Sequence, residues 1–244
     1  MNKNKPTIAA IWFGTGDRGN KYADLASVWE YSAKKVIGDT AEIICLHKPT
    51  PDFTQECAVF YRGERKIGPS KTISWMEKIN SWLEIIKNTD GPVLLCDIDI
   101  AFYKNPFPDV LEFDFDIGIC GNNTGAIYFS GTKRSRKFMK RWHEDTVTLF
   151  GDAELYQEYD KKFKGLDQAS MGYLLETGRH DANVVQLPRR FHSTCHDFEL
   201  PAYIMHYHSA MRSVVFGESQ YKILDKKIHK YARDWKKMLK ECRE

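Results

Sequence analysis

Apolar residues enter this chain in two patterns, short unbroken runs and stripes at helical spacing, and the two alternate from the N-terminal end onward. Residues 7–13 (Thr7-Ile8-Ala9-Ala10-Ile11-Trp12-Phe13) form an unbroken run that ends in Gly14-Thr15-Gly16-Asp17-Arg18-Gly19, and helical spacing follows over residues 22–31. A run of this kind predicts a strand buried on both faces. A second run over residues 41–46 completes a βαβ unit. Residues 51–70 carry Pro51, Gly63, Gly68 and Pro69 and read as loop, with a short edge strand at residues 58–61. Ile73, Met76, Ile79, Leu83 and Ile86 then recur at helical spacing until Asn88-Thr89-Asp90-Gly91-Pro92 stops the helix. Residues 93–96 predict a short all-apolar strand that runs straight into Asp97-Ile98-Asp99. Further strands are predicted at residues 115–120 and 125–129, a Lys- and Arg-rich helix near 132–149, a short helix from Ala169 to Glu176, and an apolar stretch at 184–188. Strands and helices alternate, so the class is α/β with a mainly parallel sheet flanked by helices.

The last stretch differs in charge. Leu224, Ile228, Tyr231, Trp235 and Met238 recur at spacings of 4, 3, 4 and 3, which predicts a basic amphipathic C-terminal helix over residues 221–244. It holds nine Lys or Arg against four acids, while the rest of the chain holds 27 basic and 29 acidic residues. The formal net charge of +3 on 244 residues therefore conceals a nearly neutral body, residues 1–220, and a cationic appendage. Three readings of that helix are open: an apolar stripe packed on the core with its lysines in water, docking on an anionic membrane surface, or attraction to nucleic acid. Hydrophobic residues at 42% and aromatics at 13% exclude a disordered chain. No apolar stretch is long enough for a membrane span or a signal peptide, which points to the cytoplasm, at most peripheral to the inner face of the membrane. Cys45, Cys57, Cys96, Cys120, Cys195 and Cys242 show no paired spacing, so they read mostly as small buried residues, not as a disulfide or zinc framework.

Three constellations carry candidate chemistry. Asp97 and Asp99 at the end of a buried strand project to the same side of an extended chain, and two such carboxylates need a cation. In open α/β sheets ligands sit beyond the carboxyl ends of the strands, so Mg²⁺ or Mn²⁺ bridging to a diphosphate fits. Gly14, Gly16 and Gly19 satisfy G-x-G-x-x-G between strand and helix and could serve an NADP-dependent oxidoreductase. The second strand, however, ends in Leu46-His47-Lys48 and not in an acid for the ribose. A milder reading makes this region, with Thr15 and Tyr22, a nucleotide-contacting loop. His192, Cys195, His196, His206 and His208 fit no standard zinc spacing, and one imidazole completing an oxygen-rich metal site is the economical proposal.

Taken in order, these motifs resemble the nucleotide-diphospho-sugar transferases of the GT-A fold, a Rossmann-like glycosyltransferase architecture. Residues 93–102 followed by Asn105-Pro106-Phe107-Pro108 resemble the family's apolar strand, DxD and proline turn. Asn123-Thr124-Gly125-Ala126-Ile127-Tyr128-Phe129 is similar to its N-[ST]-G strand, and Gly131-Thr132-Lys133-Arg134-Ser135 with Phe138 and Trp142 to the helix after it. Leu166-Asp167-Gln168 resembles the Asp-Gln motif of retaining members. Leu187-Pro188-Arg189-Arg190-Phe191, then His206 with Arg212 six residues on, resemble the closing elements of retaining galactosyl- and glucosyltransferases. His192 stands where many relatives have Asn, and Arg212 replaces a Lys.

The resemblance implies a metal-dependent hexosyl- or pentosyltransferase with a UDP-sugar as the leading donor and retention as the outcome. Asp97, Asp99 and His206 would hold Mn²⁺ or Mg²⁺, Asp97 also reaching the donor ribose. Arg212 would neutralise the diphosphate, and Lys78, with Lys71 as alternative, would contact the donor unless it is merely a solvated helix charge. Asp167 would hold the sugar hydroxyls and Gln168 would sit near the anomeric carbon. The acceptor is left open among glycan, lipid-linked and nucleic-acid classes, so a DNA-modifying glycosyltransferase stays within the same reading.

Overall fold

The first apolar run is strand β1 (Thr7–Gly14) of a computed structural model that describes residues 5–14, 16–49, 60–62, 65–67 and 69–244. Successive side chains of a strand point to opposite faces. Ile8 and Ala10 accordingly enter one hydrophobic core and Ala9 and Ile11 another, all four at most 5% exposed. Helix α1 (Gly16–Ile37) covers the first face with Leu25, Val28, Trp29 and Ala33. Strand β2 (Glu42–Pro49) pairs in parallel with β1, Ile8 opposite Ile43. Strands β3 (Phe60–Arg62) and β4 (Arg65–Ile67) form a separate antiparallel hairpin. The edge strand expected at 58–61 is thus not an edge of the main sheet, and Ala58 and Val59 lie outside the described residues.

Helix α2 (Pro69–Asn88) covers the second face with Ile79, Trp82, Leu83 and Ile86. Strand β5 (Val93–Cys96) follows and pairs in parallel with β1 on the side away from β2. Beyond it come β6 (Ile100–Phe102), α3 (Phe107–Val110), β7 (Ile117–Ile119) and β8 (Ala126–Phe129). Helices α4 (Lys133–Gly151), α5 (Ala153–Phe163) and α6 (Leu166–Thr177) lead to β9 (Val184–Gln186), then β10 (Ile204–His206), α7 (Ser209–Val215) and α8 (His229–Arg243). The main sheet runs β2-β1-β5-β8-β7-β9, with β8 antiparallel to both neighbours and every other pairing parallel. It is a mainly parallel sheet between helical layers, as the alternation of patterns implied. Chain order reverses beside β1, which opens a crevice at the carboxyl ends of β1 and β5.

Three local expectations change. Helix α5 was not anticipated; Asp152 caps it by accepting from the Glu154 and Leu155 amides. Helix α6 starts at Leu166 instead of Ala169, so Asp167 and Gln168 occupy its first turn. The C-terminal helix begins only at His229, because the Asp225 side chain accepts from the Lys227 amide and closes a short 3₁₀ turn before it. Cys96, Cys120 and Cys195 are buried, Cys45 and Cys242 only half-buried, and Cys57 lies outside the described residues.

The stripe of α8 is spent inside the molecule. Leu224, Ile228, Tyr231, Trp235 and Met238 are all at most 8% exposed and join the core under α1, while the nine Lys and Arg of 221–244 are all exposed. Trp235→Ala is expected to cost about 3–5 kcal/mol, the usual range for emptying a buried tryptophan site, read from urea denaturation of the full chain. A loss below about 1 kcal/mol would mean that α8 lies outside the cooperative unit.

Candidate active site

Strand β5 ends at Cys96, and the chain then turns, so Asp97 and Asp99 do not sit on one extended strand as their i, i+2 spacing had implied. They converge through two backbone constraints. The Asp97 amide donates to Gly125 O at 2.8 Å, holding the turn against the start of β8. Strand β6 then pairs antiparallel with β10, Ile100 opposite His206, and the Tyr207 amide donates to Asp99 O at 2.6 Å. The register brings a histidine 107 positions away onto the acidic turn: His206 Nε2 lies 2.9 Å from Asp99 Oδ1 and 3.7 Å from Asp97 Oδ2.

Two carboxylates and an imidazole, with ligand atoms all within 4.8 Å of one another, make an oxygen-rich donor set suited to Mn²⁺ or Mg²⁺. The electrostatics fit the same group. Burial pushes the Asp97 carboxyl upward despite the nearby Lys78 and His206. Burial also opposes ionisation of Asp99, but the charges of His206 and Arg212 and the His206 hydrogen bond hold it well below the usual carboxylate range. Burial would lower His206, yet Asp99 beside it carries it upward. His208 is pushed down to about 4 by burial and by the His206 charge.

Lys78 is no solvated helix charge. From α2 its Nζ reaches Asp97 Oδ1 at 2.6 Å and Asp167 Oδ2 at 2.7 Å, and it stands 4.4 Å from the ring centre of Trp82. Burial would lower its pKa, but the two carboxylates carry it upward, so it stays charged. Asp167 also accepts from Thr124 Oγ1 at 2.8 Å, and its carbonyl from the Trp142 indole at 3.2 Å. An acid in the first turn of α6 also meets the positive end of that helix. Arg212 of α7, partly exposed, reaches Asp99 Oδ2 at 3.3 Å and shares with Tyr22, Leu25 and Phe216 a hollow at the edge of the site. Gln168 is half-buried, donates to Lys164 O at 3.2 Å, and lines a second hollow with Asn122, Asn123 and Thr124. Thr15 and the side chain of Lys71 lie outside the described residues.

Two further residues build the site. Gly125 faces the His206 ring: a Cβ there would lie 2.5 Å from its Cε1. Thr124 fixes Asp167. Both belong to Asn123-Thr124-Gly125, whose sequence signal was present while their roles depended on partners far along the chain. Ser209 takes φ 54, a left-handed conformation uncommon for residues with a Cβ, at the turn that aims Arg212 toward Asp99.

The fold matches that of solved glycosyltransferases of the GT-A fold. The galactosyltransferase LgtC, solved with donor and acceptor sugar analogs, aligns with a TM-score of 0.56 and 14% identity over 96% of this chain and 95% of its own. A glycosyltransferase involved in the glycosylation of the major capsid of PBCV-1 aligns at 0.51 and 11% over 85% and 96%. The apo form of GlyE from Streptococcus pneumoniae TIGR4 aligns at 0.51 and 13% over 98% and 63%. At these identities the likeness is one of fold. No curated protein sequence matches the chain. The sequence model of the nucleotide-diphospho-sugar transferases matches residues 64–211, more than half of the chain, and the chain belongs to that family. Glycosyl transfer therefore displaces NADP-dependent oxidoreduction. His47 and Lys48, either of which could have met a 2′-phosphate, lie against Trp12 (stacked at 3.9 Å) and 3.6 Å from Glu77 respectively.

Lys78→Met is expected to leave the buried Asp167 and the half-buried Asp97 without their shared cation and to destabilise the fold by about 3–5 kcal/mol at neutral pH. The deficit should shrink as pH falls and the stranded carboxyls take up protons, because their pKa values rise when the lysine is lost. Thermal unfolding at pH 5 and pH 8 measures it, and an equal deficit at both would contradict the charge account.

Proposed function

We propose that the protein moves a sugar from a UDP-sugar to an acceptor with retention, using Mn²⁺ or Mg²⁺ held by Asp97, Asp99 and His206. The observation that carries this reading is the convergence of those three ligands with the Lys78–Asp97–Asp167 ion cluster at the crevice beside β1. Bound there, the cation would neutralise the diphosphate leaving group. Arg212 keeps guanidinium N–H groups available beyond its contact with Asp99, and these serve the phosphate oxygens. Asp167, immobilised by Lys78 and Thr124, receives hydroxyls of the donor sugar. Tyr22, exposed on the wall of the Arg212 hollow, offers a face to the nucleotide.

Retention is supported by what surrounds Gln168. An amide is no general base, and among the described residues lining its hollow there is neither a carboxylate nor an imidazole. The bond between the anomeric carbon and the phosphate oxygen breaks, a bond to the acceptor oxygen forms on the same face, and the acceptor proton passes to the departing phosphate oxygen. The anomer of the product tests this directly, and an inverted product would remove Gln168 from the role.

The acceptor side rests on the tail. Among the described residues no helix is long and apolar enough to cross a membrane. With its apolar stripe inside the core, the exposed cations of 221–244 leave electrostatic attraction as the means of reaching an anionic membrane that carries a lipid-linked acceptor.

Three outcomes follow. Asp99→Asn is expected to lower metal-dependent hydrolysis of the UDP-sugar by about 100-fold or more, tenfold for each 1.4 kcal/mol of lost leaving-group stabilisation, while circular dichroism stays unchanged; retained activity would unseat the ligand. Mn²⁺ must displace a proton from His206, whose pKa is raised, so the apparent affinity should climb about tenfold per pH unit below that pKa and level off above it. Replacing Lys226, Lys227, Lys230 and Arg233 by Gln should remove about 1 kcal/mol per charge from binding to phosphatidylglycerol vesicles in co-sedimentation. Unchanged vesicle binding, or binding by wild type to DNA alone, would turn the acceptor reading away from membranes.

A further inference from the structure

The proposed ligand set contains a histidine whose second nitrogen meets another histidine. His206 Nδ1 lies 3.0 Å from His192 Nε2, the ring planes 22° apart. His192 is 1% exposed, and its remaining nitrogen, Nδ1, is buried without a hydrogen-bond partner among the described residues. A stranded ring nitrogen is costly, and a phenyl group would fill comparable space without one, so packing does not account for an imidazole here.

The protons can be assigned. Two facing imidazole nitrogens bond only when one carries a proton and the other is bare. His206 Nε2 faces Asp99 and the ligand cluster, and as a metal ligand it must be bare, which places the proton of the neutral ring on Nδ1. That proton needs an acceptor, and His192 Nε2 is within reach. His192 must then carry its own proton on Nδ1, the atom left without a partner. Against the His206 ring stands Gly125, whose missing side chain leaves room for it: a Cβ would lie 2.5 Å from Cε1 and 2.7 Å from Nδ1 of His206.

From this geometry we infer that His192 is a positioning residue, a neutral acceptor that fixes the Nδ1–H tautomer and the ring plane of His206. The inference rests on the metal reading above, and the test separates the two. Mn²⁺ alone is titrated calorimetrically into the full-length wild type and into His206→Ala, His192→Phe and His192→Gln. His192→Phe is expected to weaken binding about 10–100-fold, the usual effect of losing the partner that orients a ligand. His192→Gln should recover most of the loss, because its Oε1 can accept where Nε2 did. Binding by His192→Phe equal to wild type, or a Gln variant no better than Phe, overturns the inference while His206→Ala still binds weakly. Equal binding by wild type and His206→Ala overturns the metal reading and the inference together. If His192→Phe does not fold, the imidazole ¹⁵N spectrum of the Mg²⁺-loaded wild type decides: His192 protonated at Nδ1 and bare at Nε2 supports the assignment, and the opposite tautomer overturns it.

Discussion

Three carboxylates, Asp97, Asp99 and Asp167, are gathered where an apolar strand ends, and the arrangement around them answers that concentration of negative charge. Lys78 is the principal response. It ties the end of β5 to the first turn of α6 from a position on α2, and so couples three elements that share no local sequence. Buried ion pairs contribute little stability relative to apolar packing. Close-packed apolar residues would hold the two faces of this sheet together at least as well, so the triad is better explained by what it presents to a ligand.

Charge balance is consistent with the diphosphate proposed above. With His206 protonated, the three carboxylates are matched by Lys78, Arg212 and the imidazolium. Exchange of that single proton for a divalent cation would leave the same residues with a positive surplus, directed at the crevice where a diphosphate would lie. The fold supplies the direction. Arg212 approaches from α7, Lys78 from α2 and His206 from β10, so positive groups close on the acidic turn from several elements.

What the sequence made legible follows from the range of each interaction. The unbroken runs of β1 and β5 and the stripe of α2 announce themselves because every position in them is decided by burial within one element. Asp97 and Asp99 were visible as a local motif, though a turn and a strand register bring them together, not the pleat of one strand. Strands β6 and β10 have three residues each, too few for a period to show, and they exist because they pair with each other across a hundred positions. Helix α5 carries a local signal of its own, Tyr156, Tyr159 and Phe163 at helical spacing. The engagement of Lys78 with Asp167 and the face of His192 toward His206 carry no local pattern at all, since 89 and 14 residues separate the partners and only the tertiary fold sets their distance.

The basic tail looks from its charge like an appendage, but its apolar side is structural support for the site. The Tyr207 hydroxyl donates to Tyr231 O at 2.8 Å, the Ala202 amide donates to the Tyr231 hydroxyl at 3.0 Å, and the Tyr207 and Trp235 rings lie 6.1 Å apart. These contacts grip the chain on both sides of β10, the strand that delivers His206, while the Tyr207 amide simultaneously holds Asp99. A helix that buries its stripe in this way cannot also insert that stripe into a bilayer without loosening the strand that carries His206. Surface contact through the lysines therefore leaves the site intact, and insertion would dismantle it.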